Sequence, residues 1–152
     1  MDQAGVLVQF KDLGVAAALG LAATGSALGI GVAGMAAVGA WKKCYAQNRM
    51  APFLLIVFIG APLSQTIYGM ILMNKIAEVA AKGVFLSSVG IFGGAAIGMS
   101  AFYQGKIGAS GADALAETGK GFTNYLIALG IIETVALFVM VFLLGKIDVL
   151  AG

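Results

Sequence analysis

The chain alternates between long apolar runs and short segments that hold most of its charged residues. A membrane-spanning helix needs about 20 mostly apolar residues, and four runs reach that length, at roughly 13–40, 52–73, 84–110 and 122–145. The segments between them are short, so consecutive helices should be antiparallel neighbours. The pattern predicts an all-α membrane protein in one membrane domain, 1–152, with four transmembrane helices arranged as two tandem helical hairpins.

The two predicted hairpins, repeat one at 13–73 and repeat two at 84–145, resemble each other. Each begins with a helix rich in Gly and Ala and continues with a bulkier helix that carries a polar residue near its middle. Alignment of PLSQTIYG with GIIETVAL sets Gln65 against Glu133. This suggests an old duplication of a single hairpin.

The first helix of each hairpin carries small residues at a spacing of four. Such residues share one helix face, where neighbouring backbones can approach closely. Packing within the chain, or a helix dimer, explains a single face of this kind. A long face that occurs twice favours the crowded inner wall of a closed ring. The residues concerned are Gly25, Gly29, Gly90, Gly94 and Gly98.

The composition agrees with a membrane protein, since 61% of the 152 residues are hydrophobic and 11% are charged. A net charge of +2 gives no argument for nucleic acid as a partner. One cysteine and no histidine exclude an internal disulfide and the usual zinc and haem ligand sets. The first and third loops hold five Lys or Arg against four elsewhere, which favours cytoplasmic loops there and both termini outside.

Glu133 is the single charge in the apolar stretch LIALGIIETVALFVMVFLLG. An ionised side chain at the bilayer centre costs about 2.5–3.5 kcal/mol on insertion scales, so it needs a partner or a neutralising proton. Ser64, Gln65 and Tyr68 share one sector of the second helix, and Gln104 closes the third. Each of these polar residues taken alone is also explained as a hydrogen-bonding link between helices.

The depth of these residues follows from counting along the helices. Gln104 and Glu133 each lie about 14 residues, or about 21 Å, from the predicted bend of the second hairpin. Gln65 lies within about 3 Å of the depth of Glu133. The same count in the first hairpin sets Gln65 opposite residues 31–34, which offer no polar side chain. We therefore expect one site per chain, with one carboxylate.

The donors at this depth are hydroxyl, carboxamide and carboxylate oxygens, which alkali and alkaline-earth cations accept. Pro62 cannot donate an N–H to the carbonyl of Phe58, so nearby carbonyls can tip away from the helix. One carboxylate balances one monovalent cation and leaves an occupied site neutral. Sodium fits this description, and so does a proton on Glu133, although a proton needs no cage of two glutamines and a serine.

Two glycine-rich hairpins together with PLSQTIY, YQGK and IIET resemble the duplicated four-helix proteolipid of rotary V-type ATPases, and most of all its sodium-translocating branch. The resemblance implies a non-catalytic, ion-carrying subunit of a membrane rotor ring. It also implies that the ion, Na⁺ or in the alternative H⁺, is bound by the Ala61 carbonyl, Ser64, Gln65, Gln104 and Glu133, with Tyr68 hydrogen-bonded to Glu133. Threonine and leucine are more familiar at the positions of Ser64 and Ala61, but the donor atoms are kept.

The same resemblance implies partners and a location. We expect identical subunits in a closed ring, a stator membrane subunit with a fixed cation, central-stalk subunits and lipid, in a prokaryotic plasma membrane. Three alternatives remain: a proton-translocating V-type ring, a small four-helix ion-coupled transporter and a purely structural membrane protein. A transporter of that kind would be expected to carry its glutamate in the first helix, which has no charge between Asp12 and Lys42.

Overall fold

The computed structural model describes residues 3–151, and they form an all-helical chain. The helices are α1 (Gln3–Ala46), α2 (Leu55–Gly60), α3 (Ser64–Ala81), α4 (Ser87–Thr118) and α5 (Phe122–Ala151). One 3-10 turn, Ala61–Leu63, joins α2 to α3, so that the span from Leu55 to Ala81 runs as one helix with a local change of pitch. The pairs α1 with α2–α3 and α4 with α5 are the two hairpins.

Three of the four predicted spans are long and apolar enough to cross a membrane, namely Leu13–Ala46, Leu55–Ala81 and Phe122–Leu150. The third predicted span, α4, does not reach that apolarity because glycine, serine, Gln104 and Lys106 dilute its apolar residues. Many of its residues are buried against other helices, and most of these are Gly or Ala. By contrast, only 11% of the most apolar window of α5 is buried.

The helices also continue beyond the apolar runs. α1 reaches Ala46 and α4 reaches Thr118, because the Ala, Lys and Glu residues that follow the apolar runs are good helix formers. Gly119 then ends α4 in the left-handed region, with φ of 66°, and donates its N–H to the Leu115 carbonyl at 2.8 Å. The apolar pattern thus marks the part of each helix suited to lipid rather than the whole helix.

α1 and α4 run parallel and are the most closely packed pair. A Cβ at Gly25 would meet the backbone of Gly98, and a Cβ at Gly105 would meet the backbone of Gly29. Glycine is required at these contacts because any side chain would push the two backbones apart. Within one chain, the glycine faces therefore join α1 to α4.

The remaining helices pack around this pair. α3 runs antiparallel to α1, with Gly69 against Ala22 and Pro62 against Gly29. Two apolar clusters fill the core. The cluster towards the first and third loops includes Leu55, Phe58, Ala112, Leu115 and Leu129, and the cluster towards the other end includes Leu72, Ile76, Ile97, Ala136 and Ile147. The polar residues of α3, α4 and α5 lie between the two clusters.

Candidate ion-binding site

Glu133 is the centre of a hydrogen-bonded cluster built from three helices. Its side chain lies half-buried on α5, where it faces α3 and α4. Ser64 donates to Oε1 at 2.6 Å and Tyr68 donates to the same oxygen at 2.8 Å. Gln104 Nε2 donates to Oε2 at 3.2 Å. Both carboxylate oxygens are therefore bound by neutral donors, which offset part of the cost of removing the carboxylate from water.

A pair of carboxamides lies behind the carboxylate. Gln65 and Gln104 are fully buried, and Gln65 Nε2 donates to Gln104 Oε1 at 2.8 Å. Gln104 Nε2 also donates to the carbonyl of Leu129 at 3.0 Å, so this side chain is held from both sides. Buried carboxamides without partners would be costly, and these hydrogen bonds fix where their oxygens point.

Pro62 shapes the backbone on the α3 side of the site. It has no N–H to donate, and the chain changes there from α-helix to the 3-10 turn before α3 begins at Ser64. The carbonyl of Ala61 lies 3.3 Å from Ser64 Oγ. A backbone oxygen thereby joins the side-chain oxygens of the cluster.

Ser64 Oγ has more oxygen neighbours than it has hydrogens. It lies 2.6 Å from Glu133 Oε1, 3.1 Å from Gln65 Oε1 and 3.3 Å from the Ala61 carbonyl oxygen. One hydroxyl carries one hydrogen, so it can donate fully to only one of these acceptors. Around Ser64 there are therefore more oxygen acceptors than hydrogens, which suits a bound cation or a proton on Glu133.

The ion pairs of the described residues do not involve Glu133. They join Lys43 to Glu117, Lys75 to Glu78 and Asp148, and Lys82 to Glu78. Lys106, two residues after Gln104, lies 5.5 Å from the ring centroids of both Phe102 and Tyr103. No ion pair to Glu133 occurs among the described residues, so its charge has to be balanced by a proton, a cation or another subunit.

The structure thus brings together the side chains of Ser64, Gln65, Tyr68, Gln104 and Glu133 with the carbonyl of Ala61. Sequence reasoning missed two groups that lie next to this cluster. One is Ser100, whose hydroxyl donates to the Ile132 carbonyl at 2.7 Å and fixes α4 against α5. Ser100 precedes Gln104 by four residues, so the two share one face of α4, and this spacing is a sequence signal for it. The other, the Leu129 carbonyl, is a backbone atom in an apolar run and gives no sequence signal.

The residues of α1 that lie at the level of Gln65 are not the ones obtained by counting from the bend. Pro62 lies against Gly29 and Gly69 against Ala22, so Gln65 stands at the level of Ser26 rather than of residues 31–34. The count assumed a symmetric bend. In the structure α1 continues to Ala46 and the return loop lies entirely on the α2 side, which shifts the pairing by about two turns.

The fold and the site define an integral membrane protein of long helices, in which neutral donors hold a carboxylate within the most apolar span, Phe122–Leu150. Residues 84–144, which cover most of the second hairpin and include Gln104 and Glu133, match the family model for the C subunit of ATP synthase. The match covers less than half of the chain and supports a c-type proteolipid family. A comparison with curated proteins found no match.

Proposed function

We propose that this chain is the ion-carrying rotor subunit of a V-type ATPase and that it carries sodium on Glu133, one ion per chain. The family match supports an ion-carrying rotor subunit in general. The V-type assignment is supported by the duplicated architecture, in which two hairpins share one carboxylate and Gln65 stands in the first hairpin where Glu133 stands in the second. The chain itself performs no catalysis, and the work of transport comes from the subunits that turn the ring.

The observation that carries the sodium proposal is the surplus of oxygens around Ser64. Glu133, Gln65 and Ala61 each direct an oxygen to within 3.3 Å of Ser64 Oγ. Gln104 Oε1 adds a further oxygen next to Gln65. Hard oxygen donors of this kind are the preferred ligands of alkali and alkaline-earth cations, and sodium gives a neutral site with one carboxylate.

Charge balance explains why the carboxylate lies at mid-depth. With a monovalent cation bound, Glu133 is neutral and can pass through lipid; without one, it is negative and must meet a positive group. Since Glu133 is half-buried and the described residues provide it with no basic partner, we infer that a fixed cation on a stator subunit plays this part. Identical copies of the chain would form the ring, with the glycine-joined α1–α4 pair towards the inside and α5 towards lipid and stator.

A proton is the second candidate cargo. Ser64 and Tyr68 both contact Glu133 Oε1, at 2.6 and 2.8 Å, and a protonated carboxyl could also donate within this cluster. A ring that carries only protons would keep every helix described above. The two candidates differ in whether sodium competes with the proton for Glu133.

Carbodiimide labelling separates them, because the reagent attacks the protonated acid. In the purified ring, sodium should protect Glu133 from labelling, and the protective concentration should increase as the pH falls. Glu133→Gln should abolish labelling, while Glu78→Gln, a change at an exposed and ion-paired carboxylate, should leave it intact. Equal labelling of Glu133 in sodium-free and sodium-rich buffer at fixed pH would reject sodium and favour the proton.

A further inference from the structure

Ser26 carries a buried hydroxyl that is unpaired in the structure. Ser26 is only 2% exposed. Among the described residues, Ser26 Oγ is the one buried side-chain oxygen or nitrogen that has no hydrogen-bond partner. Buried polar groups almost always have partners, so an exception calls for an explanation. Ser26 Oγ makes no hydrogen bond to Glu133 or to the oxygens around it.

Several hydroxyls on these helices bond to the backbone of their own helix. Thr24 donates to the Gly20 carbonyl at 2.8 Å, and Ser110 and Thr118 make the equivalent bond to the carbonyl four residues earlier. Ser26 does not make this bond to Ala22, although it lies two residues from Thr24 on the same helix. Both the hydrogen and the lone pairs of this hydroxyl are therefore unused in the structure.

The helix register indicates a partner for this hydroxyl. α1 and α3 are antiparallel, with Gly29 against Pro62 and Ala22 against Gly69, and the position midway between these two contacts pairs Ser26 with Gln65. Gly25 faces Gly98 on α4. One residue further along the helix, about 100° round its axis, Ser26 is turned from α4 towards α3.

Gln65 needs such an acceptor when its oxygen turns to a cation. In the structure its Nε2 donates to Gln104 Oε1, while its Oε1 lies 3.1 Å from Ser64 Oγ. A sodium ion bound by the oxygens of both carboxamides would lie beside that N–H, and the positive end of the N–H dipole would be repelled. Gln65 is fully buried, so an N–H that turns away from the ion must find a new acceptor inside the protein.

We propose that Ser26 is a positioning residue for ion binding: its Oγ accepts the Nε2 hydrogen of Gln65 when sodium is bound and so holds Gln65 Oε1 towards the ion. This inference rests on the proposed function, since it requires sodium at Glu133. It adds α1 to the three helices that build the site. It also explains why an unpaired hydroxyl on α1 lies at the level of Gln65 on α3.

The test measures the sodium concentration that half-protects Glu133 from carbodiimide in the purified ring at fixed pH. Ser26→Ala should raise this concentration about 3- to 10-fold, the range expected for one buried hydrogen bond. The labelling rate without sodium should stay unchanged, because Ser26 makes no hydrogen bond to the cluster in the structure. Thr24→Ala is the matched control and should behave as wild type, since its exposed hydroxyl bonds only to its own helix.

A double-mutant comparison shows whether Ser26 acts through Gln65. In a Gln65→Leu background, Ser26→Ala should have almost no further effect on half-protection, since the N–H that it accepts is gone. Ser26→Cys, which keeps the shape but offers a poor acceptor, should shift protection in the same direction as Ser26→Ala. If Ser26→Ala does not form a ring, Ser26→Cys provides the same comparison.

The outcomes separate this inference from the proposed function. If sodium protects the wild type but Ser26→Ala leaves half-protection unchanged, the inference is wrong and the sodium proposal stands. An effect of full size in the Gln65→Leu background, or a changed labelling rate without sodium, would show a packing role and overturn it. A wild type that sodium does not protect overturns the sodium proposal and this inference with it.

Discussion

Replacement of Gln104 by leucine is the sharpest single perturbation of the site. Gln104 is fully buried and makes three hydrogen bonds: it donates to Glu133 Oε2 at 3.2 Å and to the Leu129 carbonyl at 3.0 Å, and it accepts from Gln65 at 2.8 Å. Leucine has a similar volume but offers none of these bonds. Glu133 therefore loses a neutral donor, and the proposed sodium ion loses an oxygen ligand.

The expected magnitude follows from the loss of a partner to a buried charged group, which costs about 1–3 kcal/mol. Sodium binding to the purified ring should then weaken about 5- to 150-fold. Equilibrium binding of sodium-22 over a range of concentrations measures this directly. The matched control is Ser100→Ala, one turn earlier on the same face of α4, whose hydroxyl bonds to the Ile132 carbonyl and not to the carboxylate. It should change the affinity less than about 3-fold.

Two results would refute the reasoning. Wild-type sodium affinity in Gln104→Leu would show that this carboxamide is not a ligand and does not support one. An equal loss in Ser100→Ala would show that the affinity follows general α4–α5 packing rather than the oxygens around Glu133. Ring assembly of both variants, checked by size and by melting temperature, separates either result from misfolding.

Three further predictions concern competition, hydrogen bonding and packing. Apparent sodium affinity should fall as the pH falls, by up to about tenfold per pH unit, because a proton and sodium compete for Glu133, as measured by sodium-22 binding against pH; a flat profile contradicts a shared site. Tyr68→Phe should weaken sodium-22 binding about 3- to 10-fold, because Glu133 Oε1 loses one of the two hydroxyl donors that hold it in place; an unchanged affinity contradicts this role. Gly98→Ala should force α1 and α4 apart, destabilise the fold by about 1–3 kcal/mol and so lower the melting temperature. Gly31→Ala, where an added Cβ would meet open space, should not lower the melting temperature. Equal melting temperatures of the two variants would contradict the packing argument.

Particular residues show what the sequence could and could not predict. Counting from the bend set Gln104 and Glu133 at one depth, and the structure joins them by a hydrogen bond, because their hairpin turns tightly at Gly119 and Gly121. The first hairpin has a longer loop on one side only, so the same count missed Ser26. An apolar pattern also describes α4 poorly, since the face of this helix that packs against the other helices needs small residues more than hydrophobic ones.

The contributions of backbone atoms lay outside sequence reasoning for a different reason. The carbonyls of Leu129 and Ile132 take part in the α4–α5 hydrogen bonds, yet every residue has a carbonyl and no letter marks the ones that are used. The carbonyl of Ala61 was indicated only through the resemblance, with Pro62 as the physical reason that a nearby carbonyl could be free. Side chains of unusual polarity in an apolar run are thus the part of such a site that a sequence predicts best.

The central claim is that Glu133 carries one sodium ion per chain. It is tested most directly by the stoichiometry of sodium-22 binding to the purified ring near neutral pH, in the wild type and in Glu133→Gln. The account predicts saturable binding of about one ion per chain in the wild type, displaced by acid, and none in Glu133→Gln. Absence of saturable binding in the wild type, or binding that persists in Glu133→Gln, would contradict it.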